Sequence, residues 1–143
     1  MFALALVIQL VPYGWRHPNP PVMADAPWPS TEARQLAVAA CYDCHSNETD
    51  WPWYSYIAPM SWLVRKDVED GRDELNFSTW DEEDTETDDA IETIESASMP
   101  PRQYKLLHTD ARLSSDERAL LIEALRVMDE DGGDDSDGGP GPG

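Results

Sequence analysis

No stretch of this chain limits its possible folds more than Cys41-Tyr42-Asp43-Cys44-His45. The spacing is C-x-x-C-H, that of covalent haem attachment. Each thiol can add across one vinyl group of a haem, and the adjacent histidine is then near enough to put an imidazole nitrogen on the iron. Residues three and four apart on a helix share a face, so one helical turn points Cys41, Cys44 and His45 the same way. Two other readings use the same residues. A dithiol redox pair needs only the two cysteines. A zinc site needs Cys41, Cys44 and two of the three histidines, because the chain has no further cysteine and no second half-site spacing.

The 143 residues suit one domain, and both ends differ in composition from the middle. With 29 acids against 10 bases the formal charge is −19. Seven acids lie in Asp81–Asp89 and six in Asp129–Asp137. Such a surface repels phosphate and argues against nucleic acid as a partner. It suits either steering of a basic redox partner or solubility in a salty medium.

Met1 to Val11 is apolar apart from Gln9. As a helix it would cover only about 16 Å, short of a hydrocarbon core of roughly 30 Å. Residues 1–11 are therefore read as a membrane anchor cut short, with a helix packed on the domain as the alternative. Residues 12–29 hold six prolines and cannot be helical, so they form an extended linker. Ser30 caps a helix expected to run from Thr31 through the motif, with Leu36, Ala37, Ala40, Cys41 and Cys44 on one stripe. Trp51 to Trp62, with five aromatics and two prolines, is a stiff loop suited to walling a haem crevice. Ser61 is expected to cap the next helix, burying Trp62, Leu63, Val68, Gly71 and Leu75. Its wet face carries Arg65, Lys66 and Arg72, any of which could instead reach a haem propionate. Asn76 to Asp89 reads as an acidic surface loop, Asp88 to Ala97 as a short helix, and Met99-Pro100-Pro101 as its stop. Ser114 to Glu117 is a capping box before the periodic run Leu120, Leu121, Ala124, Leu125 and Met128. Residues 129–143 are expected to be a disordered acidic tail. No strand-like alternation occurs, so the fold class is all-α, a small helical domain over residues 30–128 wrapped around one covalent haem.

An iron held by His45 has a second axial position, and its occupant decides the chemistry. Met99 is the first choice, since it leaves a helix end with its backbone held by Pro100-Pro101. His108 and Met60 are the alternatives. Met128 falls in a helix stripe and reads as core, and His17 lies in the linker.

A series of motifs then points further. Cys41-Tyr42-Asp43-Cys44-His45-Ser46-Asn47-Glu48-Thr49, Trp51-Pro52-Trp53-Tyr54-Ser55, Ile57-Ala58-Pro59 and Ser61-Trp62-Leu63-Val64 come first. Asp67-Val68, Gly71-Arg72, Leu75-Asn76-Phe77-Ser78, Met99-Pro100-Pro101, Tyr104, His108, Ala111 and Leu113-Ser114 follow in order. Over about residues 12 to 126 the chain resembles the haem-binding domain family of small bacterial c-type cytochromes. The resemblance implies a cytochrome c-like helical domain behind an N-terminal membrane anchor. It supplies no substrate, and the acidic stretches at Asp81–Asp89 and at the C-terminus depart from the pattern.

The reading that joins these expectations is a monohaem c-type cytochrome, an electron carrier or relay outside the cytoplasm and anchored to a membrane. Its cofactor is one haem c, bound through Cys41 and Cys44 and ligated by His45 and Met99, and its partners are redox proteins, basic ones among them. No acid–base set suggests an enzyme. The competing reading is a haem enzyme or sensor, peroxidase-like or gas-binding, with an open sixth iron position.

Overall fold

The computed structural model describes residues 2–80 and 87–133. Among them are seven α-helices, two short 3-10 turns and no strand, so the fold is all-α. The chain divides into two compact units. One is Met1–Asp25 with Cys41–Thr85, the other Ala26–Ala40 with Glu86–Gly143.

The first unit begins with α1 (Phe2–Ile8), seven apolar residues of which Leu4, Leu6 and Val7 stand exposed. No helix among the described residues is long and apolar enough to cross a membrane. Gln9 ends this segment by copying a backbone pair. Its Nε2 donates to the Ala58 carbonyl at 3.0 Å, and the Ala58 N–H donates to its Oε1 at 2.9 Å. The prolines that follow forbid a helix, and the backbone satisfies itself elsewhere in the unit. The Met23 and Ala24 N–H groups donate to the Ser78 carbonyl (2.9 and 3.1 Å), and the Trp80 N–H to that of Ala24 (3.1 Å). Gly14, at φ 85°, lies so close to α4 that a Cβ there would fall 2.6 Å from the Ser61 oxygen. Residues 12–25 of the stretch read as a linker thus lie as a strap along their own unit.

The aromatic loop forms a 3-10 turn (Trp53–Tyr56) that packs on α4 (Met60–Glu74). The His17 ring sits against Trp51 and Tyr56, with centroids at 4.6 and 4.1 Å. Ser61 does not cap α4. The helix starts one residue earlier behind Pro59, and Ser61 is buried within its first turn. Val68, Gly71 and Leu75 are buried as the periodicity predicts, whereas Leu63 is exposed and Trp62 half-buried.

The second unit holds α2 (Thr31–Ala40), α5 (Thr87–Glu95), α6 (Arg102–Leu107) and α7 (Ser115–Gly133). Ser30 Oγ accepts the Ala33 N–H at 3.1 Å, a side-chain cap for α2. The small face Ala33, Ala37 and Ala40 is buried, and α2 packs on α7. The capping box before α7 is reciprocal: the Ser114 N–H donates to Glu117 Oε2 (2.7 Å) and the Glu117 N–H to Ser114 Oγ (3.3 Å). Helix α7 buries Leu121, Ile122, Ala124, Leu125 and Met128. It runs on to Gly133, five residues into the stretch read as a tail, while residues 134–143 and 81–86 lie outside the described residues.

Leu125 is 1% exposed at the centre of this core. Leu125→Ala should cost about 2–5 kcal/mol through lost burial and the cavity left behind, read as a fall in the midpoint of thermal or urea unfolding.

Candidate haem-attachment site

The helix that was expected to run unbroken into the motif stops at Ala40. Cys41 leaves helical geometry (φ −127°, ψ −38°), and a separate turn, α3 (Tyr42–His45), carries the motif. Its physical reason is local. The Cys41 carbonyl accepts both the Cys44 N–H (3.1 Å) and the His45 N–H (2.9 Å), so the five residues close a turn of their own. The i, i+3, i+4 relation of Cys41, Cys44 and His45 survives the break.

Helix α4 supports this turn at close range. Gly71 lies so near that a Cβ on it would sit 2.6 Å from the Cys44 carbonyl oxygen and 3.0 Å from the Cys44 Cβ. Only glycine lets the two backbones approach this far. At the end of α4 the chain turns extended at Leu75 (φ −154°, ψ 128°), which frees the Leu75 carbonyl to accept a bond from His45 Nδ1 at 3.1 Å. A carbonyl only accepts, so Nδ1 carries the proton and Nε2 is the nitrogen with a lone pair to offer. Burial also lowers the His45 pKa, outweighing the backbone acceptors at Leu75 and Gly71, which favours the neutral imidazole that a metal needs.

Residues just beyond the motif fix its exit. The Phe77 N–H donates to the His45 carbonyl (2.8 Å), and the Asn47 N–H to Ser78 Oγ (2.9 Å). Asn76 Nδ2 donates to Asn47 Oδ1 (3.0 Å), and Asn47 Nδ2 to the Pro21 carbonyl (3.0 Å). The Phe77 ring stacks on Tyr42 at 5.4 Å and on Trp80 at 5.8 Å. Arg72 donates to the Ser46 carbonyl (2.7 Å) and to Thr49 Oγ1 (2.8 Å). None of these supporting roles stood out in the sequence. Arg72 reads as a wet-face charge or a propionate partner, and Asn76 and Ser78 as part of an acidic surface loop. Their one signal was the pairing of Ser46-Asn47 with Asn76-Phe77-Ser78 in the motif series.

The surroundings of the two thiols disfavour the thiolate form. Burial raises both Cys41 and Cys44 from 9.0 to about 12, with Asp67 and Asp43 adding to the effect at Cys44. A reactive pair needs the opposite shift. Zinc finds no support either, since among the described residues no group of three or more His, Cys, Asp or Glu is placed to hold a metal ion. The residues do fit haem: two thiols and a neutral imidazole on one turn, held by a glycine contact and a carbonyl.

The other expected site residues belong to other elements. Met60 shares the Gly71 face of α4 but sits fifteen residues before Leu75, about 22 Å along the helix axis. Trp62 is nine positions from Gly71, half a turn out of phase, so its buried Nε1, unpartnered among the described residues, belongs to the opposite side of α4. In the second unit, Met99 is 38% exposed after a left-handed turn at Ala97 (φ 56°), and its N–H donates to the Thr93 carbonyl (3.1 Å). His108 follows α6 and stacks on Tyr104 at 4.0 Å. Met128 is core at 1% exposure, and His17 Nε2 pairs with the Ser55 carbonyl at 2.9 Å. Arg65 and Lys66 bond Glu69 and Asp70, their i+4 neighbours.

A family model described as a haem-binding domain matches residues 3–126. Neither the curated proteins nor the solved structures return a match.

Two outcomes are expected of this geometry. Gly71→Ala should destabilise the fold by about 1–3 kcal/mol, measured by thermal unfolding, because the methyl meets backbone that cannot yield cheaply. The haem-free protein should lose stability as pH rises from about 9 to about 12, since over that window the folded chain binds more thiol protons than the unfolded one. Once both sulfurs are thioethers, that part of the pH dependence should vanish.

Proposed function

Because the chain belongs to the haem-binding domain family, we propose that it is a monohaem c-type cytochrome that carries electrons. The observation that supports this best is the His45 imidazole, held by the Leu75 carbonyl on the same turn as both thiols. Attachment adds each S–H across a vinyl double bond, forming one S–C bond and placing the hydrogen on the neighbouring carbon, with no oxidant required. His45 offers Nε2 to the iron, and α4 keeps that ring from turning. The bound haem supplies a one-electron iron couple.

Met99 would be the second residue to hold the iron in this reading. Its thioether is of the type that raises the potential, and the Thr93 bond fixes its backbone. Met60 is less suited, because the helix separates it too widely from the carbonyl that holds His45. Work outside the cytoplasm follows from the chemistry of attachment, which in prokaryotes takes place there. The apolar α1, exposing Leu4, Leu6 and Val7, is the segment we place at a membrane. The net charge of −19 suits a basic redox partner.

Protein matured with haem-attachment machinery should show a pyridine haemochrome spectrum that survives acid–acetone extraction, and a mass raised by one haem. Met99→Ala should abolish the methionine–iron charge-transfer band at the red end of the oxidised spectrum. Rapid carbon monoxide binding by the reduced parent would instead support the open-site enzyme or sensor.

A further inference from the structure

We propose that Arg72 is a positioning residue for the haem turn and that its charge raises the reduction potential of the haem. The inference rests on the haem reading above. Composition places Arg72 among seven other charged residues of α4, yet its bonding differs from that of Arg65 and Lys66. Arg65 and Lys66 point along the helix to carboxylates four residues on. Among the described residues Arg72 instead makes four bonds, none of them to a carboxylate. Its Nε donates to the Ser46 carbonyl (2.7 Å) and one terminal nitrogen to Thr49 Oγ1 (2.8 Å), so the planar fork spans the turn that leaves His45. The other edge donates to the Pro18 carbonyl (3.0 Å) and Asn19 Oδ1 (3.2 Å) on the proline strap. Asn19 Nδ2 closes the circuit by donating to the Thr49 carbonyl (2.8 Å). One side chain therefore joins α4, the exit of the attachment turn and the strap.

Two consequences follow. Lysine, a point donor on a flexible stem, cannot span this set of acceptors, so the geometry requires arginine. The guanidinium also stays charged, because no protein environment deprotonates it. Its acceptors are neutral and it is partly shielded from water, so its field reaches the neighbouring haem less attenuated than that of a paired surface charge. Oxidised haem carries one more positive charge than reduced haem. A fixed cation bound to the Ser46 carbonyl, one residue after His45, therefore favours the reduced form.

The test uses holoprotein whose covalent haem has been verified in the parent, so failure of the haem reading shows itself first. Arg72→Gln should shift the reduction equilibrium toward the oxidised form on the order of tenfold, which for one electron is 59 mV. Arg72→Lys should keep the potential within threefold of the parent. Both variants should lower the thermal midpoint by several degrees, since both lose the fork. If the two variants shift the potential alike, or neither does, the charge has no role. Should neither accumulate, Asn19→Asp puts a carboxylate against the intact fork and should lower the potential in the same direction. An unchanged potential in that variant would overturn the proposal.

Discussion

The contact between Gly71 and the Cys44 backbone sets the distance at which everything else near the motif operates. A helix that could not come so close would hold its last turn farther out, and the Leu75 carbonyl would then miss His45. The extended conformation at Leu75 completes the arrangement, since a carbonyl still inside the helix would be spent on a helical bond. The position and the tautomer of one imidazole thus depend on a missing side chain four residues before the acceptor. Neither glycine nor leucine has chemistry of its own here; both act through backbone geometry.

Around that contact the first unit is built as a set of short straps. The Ser46–Thr49 turn, the Asn76–Ser78 turn and the proline stretch each lack regular structure, and each satisfies its polar groups on the others. Such segments usually lie loose on a surface. Here Ser46, Asn47 and Ser78 are buried and hydrogen-bonded, which gives the irregular backbone the rigidity that helices supply elsewhere. The electron-carrier reading proposed above suits such a site, because a rigid ligand set keeps the reorganisation between two oxidation states small.

Much of the fold could be read from residue patterns. The Ser30 cap, the Ser114–Glu117 box and the buried face of α7 follow from period and capping chemistry, and the structure carries them. The haem motif was visible for a different reason, since three reactive residues at fixed spacing are scarce by chance. What stayed hidden depends on tertiary placement. Cys41 breaks its helix because its carbonyl starts a new turn, and no propensity marks that. Arg72 looks like any other charge on a polar face until the strap covers it. The proline stretch announces that it is not helical, but nothing in its composition says which carbonyls it will meet. Ser61 fits a capping pattern, yet Pro59 starts the helix first.

The neutral partners of Arg72 matter for the medium in which such an acidic chain can work. Dissolved ions weaken attraction between exposed opposite charges over roughly 8–10 Å, so the Lys66–Asp70 pair, both well exposed, fades as brine strengthens. The Arg72 guanidinium, seated half-buried on carbonyl and hydroxyl oxygens, is screened less than that exposed pair. Concentrated electrolyte would quieten the mutual repulsion of the 29 acids while leaving that seat intact. The seat of Arg72 is in this respect less sensitive to salinity than the exposed ion pairs.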